Sequence, residues 1–194
     1  MSFPGIPSLD AAVMAFIQTH FHNIVTDTIF PIITSLGEAG IGWIVLSLVL
    51  LCFKKTRRTG GLVLIAMTVT LLFGELTLKN IICRLRPCNV FTDFPMLIAR
   101  PTSYSFPSGH TSSSFAAALI LTLRHKKVGW LAYIPAVLIA FSRIFLFVHY
   151  PTDVLAGILL GTLAALLTYF AAKAIQKRQA EKRTAQICTV YFDR

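Results

Sequence analysis

The sequence predicts an all-α integral membrane protein, a bundle of about six transmembrane helices forming one membrane-embedded domain over residues 1–194. Three observations predict it. Of the 194 residues 55% are apolar and only 13% are charged, about half the charged share of an ordinary soluble domain. Apolar runs recur at lengths close to the roughly 20 helical residues that cross a bilayer. The basic residues gather in short blocks between those runs, as cytoplasmic loops do under the positive-inside rule.

Taken in order, residues 9–36 form an apolar stretch interrupted by Gln18, His20, His22, Asn23 and Asp27. It reads either as an interfacial helix followed by a span or as one impure span. Clear spans follow at 41–53, 61–82, 111–123, 128–148 and 154–172, and the first and third of these are short enough to extend into their flanks. The span at 111–123 opens Thr-Ser-Ser-Ser-Phe-Ala-Ala-Ala, and small residues let helix backbones approach, so it is expected at the centre of the bundle. Gly157 and Gly161, four apart in the last span, predict a second close crossing. Residues 173–194 read as a basic cytoplasmic tail. Residues 1–7 place no basic residue ahead of an apolar run, so no cleavable leader is expected. No internal repeat or low-complexity segment is visible.

The net charge of +10 invites a nucleic-acid reading, but its distribution excludes one. Lys54-Lys55-Thr56-Arg57-Arg58, Arg124-His125-Lys126-Lys127 and the tail carry no interleaved aromatic residues of the kind on which bases stack. Placing these three blocks on one side orients the spans and puts thirteen of the eighteen Lys and Arg residues on the inner face. The other five, Lys79, Arg84, Arg86, Arg100 and Arg143, fall at outer span ends or in the outer loop. Residues that oppose a topology signal need another reason to be there, and functional sites are where such violations are expected. Arg84 and Arg100 are assigned to the loop or to lipid headgroups. The four cysteines do not form a metal framework, and Cys83 and Cys88, close together on the outer face, are either a disulfide or two free thiols.

Three segments share that outer face: Lys79 with Arg86-Pro87 after six intervening residues, then Pro107-Ser108-Gly109-His110, and Ser142-Arg143 followed by His149 and Asp153. Arginine's planar fork matches phosphate oxygens and lysine adds a point charge, so Lys79, Arg86 and Arg143 suit an anionic ligand. Lys79 alone also reads as a lysine snorkelling to the interface. Pro107-Ser108 reads as a helix start with Ser108 near the N-cap, where free N–H groups bind anions and Gly109 allows close approach. His149 and Asp153, four apart with Pro151 between them, share a face if that turn is helical. A carboxylate on one ring nitrogen then leaves the other free to attack. His110 is placed to protonate a leaving group. Glu75, an acid inside a span, reads as a partner for Lys79 or as a proton shuttle or pocket-shaping residue.

On these residues the chain resembles the type 2 phosphatidic acid phosphatases. Their signature is Lys-x6-Arg-Pro, Pro-Ser-Gly-His and Ser-Arg-x5-His-x3-Asp, and every specified position matches between Lys79 and Asp153. The resemblance implies the family's six-helix bundle and a lipid phosphatase, which the charge distribution places in the cell (inner or plasma) membrane, multi-pass, with its active site on the extracytoplasmic face. It implies His149 as nucleophile, Asp153 as its orienting partner and His110 as general acid. Lys79, Arg86, Ser108, Gly109 and Arg143 would be the phosphate cradle, with no metal and no cofactor. The implied partners are the bilayer and a phosphorylated membrane lipid, undecaprenyl diphosphate or phosphatidylglycerol phosphate before others, and no nucleic acid. Alternatives are a lipid phosphotransferase, a vanadium-dependent haloperoxidase (against which the spans argue), and a non-catalytic lipid-binding or transport protein.

Overall fold

The computed structural model describes residue 3 and residues 5–192, the side chains of 183 and of 185–192 excepted, and among the described residues every regular element is helical. The leader reading therefore falls partly, and the Cys188 side chain wholly, outside the described residues. The helices are α1 (Ser8–His20), α2 (Ile24–Leu36), α3 (Ile41–Cys52), α4 (Arg57–Thr70), α5 (Lys79–Ile82), α6 (Pro87–Val90), α7 (Gly109–Arg124), α8 (Tyr133–Phe145) and α9 (Pro151–Phe192).

The ambiguous stretch 9–36 resolves into two helices. Asn23 ends the uncertainty: its side chain accepts from the N–H groups of Val25 and Thr26, while Thr26 returns its hydroxyl to the Asn23 N–H, a capping box that starts α2. The polar interruptions have partners. Gln18 donates to the carbonyls of Ile144 and Phe145, two of the groups that the end of α8 leaves open, and His22 meets Asp27 at 2.7 Å. Asp10, at the other end of α1, accepts from Thr152 at the start of α9. Both ends of α1 thus contact one end of the bundle, and the helix lies across it. α2 meets α3 through Gly37 and a 3-10 turn, Glu38–Gly40, with a bend of 45°, and Gly40 takes a φ of +71° that favours glycine. The short span 41–53 does extend into its flank, but around an elbow.

The span expected at 61–82 is one rod with an inserted π-helical segment, Leu71–Leu78, between α4 and α5. Its wider ladder carries the Lys79 N–H to the Gly74 carbonyl and re-aims everything after it. α7 is central, meeting α4, α8 and α9 along its length, and Ala116, Ala117 and Ala118 are fully buried. The two glycines of α9 permit this. A Cβ at Gly157 would stand 2.7 Å from the Ser108 carbonyl, and one at Gly161 would overlap the Ser112 carbonyl.

The outer surface is apolar, with Val45, Leu48, Leu155, Leu159, Leu163 and Leu167 all exposed, as a lipid-facing band requires. By length and composition, Arg57–Val90 and Pro151–Lys182 are each long and apolar enough to cross a membrane, and the bent pair α2–α3 makes a third if counted as one span. α7 falls short of that measure because of its small polar residues. Thr111, Ser112 and Ser114 face protein rather than lipid, so its hydropathy need not be high. Cys83 and Cys88 are both free thiols, the first exposed and the second buried.

Candidate active site

Three connections build the site at one end of the bundle. The π-helical segment delivers Lys79, which is buried and pairs with Glu75 at 2.7 Å, so the intramembrane acid has the lysine as its partner. Pro87 opens α6 and leaves Arg86 extended just before it, pointing inward with 3% exposure. The start of α7 places Ser108 at the N-cap and His110 in the first turn. The end of α8 contributes Arg143, and the connection to α9 contributes His149. Pro151 then starts α9, and Asp153, three positions past its cap residue, accepts from the Tyr150 N–H at 3.0 Å.

His149 is the centre. Its Nε2 receives Arg86 Nη1 at 2.9 Å, and its Nδ1 faces Asp153 Oδ2 at 3.5 Å. The same Arg86 nitrogen also donates to the Val148 carbonyl, while its Nε and Nη2 hold Ser103. Arg86 is thereby braced on one side and presented to Nε2 on the other. His149 lies between the helices, and burial first, then the charge on Arg86, hold its imidazole well below the ordinary pKa. It is neutral, with the Nε2 lone pair directed at the guanidinium. Arg143, His149, Arg86 and Lys79 all lie close enough to His110 to act on it electrostatically.

Two buried nitrogens of this cluster have no hydrogen-bond partner: His110 Nε2 and Arg143 Nε. Buried polar groups are almost always paired, so these two orphans, with Arg86 and Lys79 nearby, leave hydrogen-bonding capacity suited to an anionic ligand. Arg143 is steadied from behind, its Nη1 donating to Thr34 Oγ1 at 2.5 Å. Ser108 sits at the N-cap but makes no side-chain cap bond, its hydroxyl meeting Thr111 instead, so N–H groups of the first turn remain available.

All eight residues singled out in the sequence converge here, with two changes of emphasis. The close approach that Gly109 permits is by Glu75, whose Oε1 would overlap any Cβ at that position. Arg84 is not a loop or headgroup residue: its Nη1 reaches Asp153 Oδ1 at 2.6 Å and its Nη2 reaches Asp10 Oδ2 at 2.8 Å. Arg100 does serve the loop, donating to the carbonyls of Cys88, Thr92 and Phe94. Sequence reasoning missed Ser105, whose hydroxyl donates to Asp153 Oδ2 at 2.5 Å and lies 3.4 Å from His149 Nδ1. It also missed Gly37, where a Cβ would stand 2.9 Å from the His110 ring. Neither lies in a recognisable motif. Asp10 carried a faint signal, a carboxylate at the start of an apolar helix. Among the described residues no group of His, Cys, Asp and Glu is arranged to hold a metal ion.

Residues 59–177 match the family model described as the PAP2 superfamily. An undecaprenyl-diphosphatase of Sulfolobus acidocaldarius is 39% identical over 127 residues, covering 65% of this chain and 61% of that protein. The bacitracin transport permease protein BcrC of Bacillus licheniformis is 33% identical over 145 residues, covering 73% of this chain and 71% of that one. The crystal structure of a transmembrane PAP2-type phosphatidylglycerolphosphate phosphatase from Bacillus subtilis superposes with a TM-score of 0.71 at 29% identity, over 89% of each chain.

Proposed function

The chain belongs to the PAP2 superfamily, and from that membership and the geometry around His149 we propose that it is a lipid phosphatase working through a phosphohistidine. The observation that carries the proposal is the pair of orphaned nitrogens, His110 Nε2 and Arg143 Nε, flanking a neutral His149 whose Nε2 faces Arg86. As the phosphate enters, Arg86 Nη1 passes from Nε2 to a phosphoryl oxygen. His149 Nε2 attacks phosphorus as the bond from phosphorus to the lipid-side oxygen breaks, and His110 gives its proton to that oxygen. The incoming phosphate brings the negative charge that lets His110 hold a proton among three cations. Water then attacks the phosphorus, the P–N bond breaks, His110 recovers a proton, and inorganic phosphate leaves. Asp153 holds Nδ1 and stabilises the imidazolium while it is phosphorylated. Lys79, Arg86 and Arg143, with Ser108 and the Gly109 backbone, neutralise the phosphoryl oxygens, so no step calls for a metal.

The favoured substrates are undecaprenyl diphosphate and phosphatidylglycerol phosphate, because the similar proteins from Sulfolobus and Bacillus subtilis carry those names. The favoured location is the cell membrane with the site on its extracytoplasmic face, as the charge distribution indicates. The transport name of the Bacillus licheniformis relative is a second reading, but a nucleophile backed by a carboxylate at one end of the bundle fits hydrolysis better.

The test is phosphate release from a lipid panel by detergent-solubilised protein, with excess chelator present throughout. His149→Ala is expected to abolish turnover of every substrate. His110→Ala is expected to lose about 10²–10⁴-fold on a lipid phosphate, whose alkoxide needs a proton, and far less on an aryl phosphate. Alkaline quenching should trap labelled phosphate on the wild type and not on His149→Ala. Labelling that survives in His149→Ala, or activity that requires added magnesium, overturns the mechanism. Transfer of phosphate to an added alcohol in preference to water would reassign the protein as a phosphotransferase.

A further inference from the structure

We propose that Arg84 is the positioning residue that sets Asp153 behind His149, and that Asp10 of α1 is the anchor that sets Arg84. The inference rests on the reading of His149 as the phosphoryl acceptor. The two faces of the His149 ring are served by different arginines. Arg86 meets Nε2, the attacking side, whereas Arg84 stands behind the ring and bonds the carboxylate that faces Nδ1, with the Thr152 hydroxyl and Asp10 as its other partners.

Asp153 is fully buried, and its two oxygens are divided. Oδ1 is held by Arg84 Nη1 at 2.6 Å, which leaves Oδ2 to Ser105, the Tyr150 N–H and His149. Holding one oxygen fixes the carboxylate plane and hence the direction of the other. Arg84 acts through its backbone too, because its carbonyl accepts the Ser105 N–H at 2.8 Å and so seats the hydroxyl that lies against Asp153. Its guanidinium carbon lies 3.8 Å from the Tyr150 ring centroid, which restricts the side chain further.

The other end of the fork is equally determined. Asp10 is fully buried, and its oxygens receive Arg84 Nη2 at 2.8 Å, the Thr152 N–H at 2.9 Å and the Thr152 hydroxyl at 2.7 Å. Two buried carboxylates thus flank one guanidinium, which leaves a single net negative charge behind His149. That is the charge needed to balance the imidazolium of the phosphorylated ring. Arginine's planar fork can bridge two carboxylates in fixed directions, and the compact ammonium of lysine cannot. The docking of α1 across the end of the bundle is therefore built into the alignment of the nucleophile.

The experiment compares Arg84→Ala, Arg84→Gln, Arg84→Lys, Asp10→Asn and the double variant Asp10→Asn/Arg84→Gln with the wild type and His149→Ala. It reads kcat, KM, competitive inhibition by inorganic phosphate and the thermal midpoint in detergent. Because Arg84 does not reach the cradle, kcat should fall about 10- to 100-fold while KM and phosphate inhibition stay within about twofold. Asp10→Asn, nearly isosteric and remote from the site, should lose kcat in the same way, and the double variant should be no worse than Arg84→Gln alone. Free guanidinium should restore part of the kcat of Arg84→Ala, a response that a folding defect would not show. Unchanged kcat in Asp10→Asn and Arg84→Lys, additive losses in the double variant, or KM rising in step with lost activity overturns the inference. If those variants behave as wild type while His149→Ala is dead, only this inference falls. If wild type releases no phosphate from any lipid, the phosphatase reading falls and takes it along.

Discussion

Glu75 lies where its charge bears on the proposed phosphate site. Its carboxylate pairs with Lys79 at 2.7 Å and rests against the backbone of Gly109, at the start of α7 where an incoming phosphate would look for N–H groups. In the proposed cradle it is an anion with which an incoming phosphoryl group would have to share Lys79. Two like charges about 4 Å apart repel by about 1 kcal/mol even in water, which corresponds to several-fold in affinity. Glu75→Gln keeps the shape and removes that charge. Inorganic phosphate and vanadate should then inhibit several-fold more strongly, measured as competitive inhibition constants at fixed ionic strength. Weaker inhibition in Glu75→Gln would mean that the carboxylate is needed to hold Lys79 in place.

Among the elements, α7 carries the site, and its position is set by its crossing with α9. Ser108 and His110 stand where they do because Gly157 and Gly161 admit the backbone of α7 into contact. At Gly161 a new Cβ would meet the Ser112 carbonyl, and the Ala116 nitrogen at 3.0 Å, both backbone atoms that cannot turn aside. Overpacking of this kind costs about 1–3 kcal/mol, or a few degrees in thermal midpoint for a chain of this size. Gly161→Ala is therefore expected to lower the midpoint and to reduce turnover together, as α7 is displaced with His110 on its first turn. Gly61→Ala is the internal control, since a Cβ there meets nothing within 4 Å. Equal midpoints for the two variants would show that α7 and α9 can separate at little cost.

For the whole molecule, the basic blocks and the candidate site occupy opposite ends. Thr59, next to the basic block 54–58, bonds His125 of the second block at 3.0 Å, and α9 runs alongside α7 in the same direction and so carries its basic tail toward that end. His149 lies at the other. If the basic end is cytoplasmic, a cysteine placed at exposed Thr92, in a background without native cysteines, should react with an impermeant thiol reagent in intact cells. One placed at exposed Lys55 should react only after the membrane is opened. The reverse labelling would put dephosphorylation in the cytoplasm.

Chain chemistry alone determined the membrane class and the central place of 111–123, and it singled out the residues proposed here as cradle and nucleophile. Bilayer insertion and phosphate binding both impose residue types at set spacings, and a spacing is a linear property. The tertiary structure decided what depends on contacts between distant positions. Gln18 and Asp10 look like flaws in an apolar segment until the open carbonyls of α8 and the fork of Arg84 are brought to them. Arg84 itself looks like one more basic residue in a loop until Asp153 stands 2.6 Å away. Nor does the run 71–78 announce its π-helical turn, because inserting a residue into a helical ladder is settled by what the re-aimed side chain can reach, here Lys79 with its partner Glu75. Local rules place a residue on a helix, and only packing determines which buried charge it must satisfy.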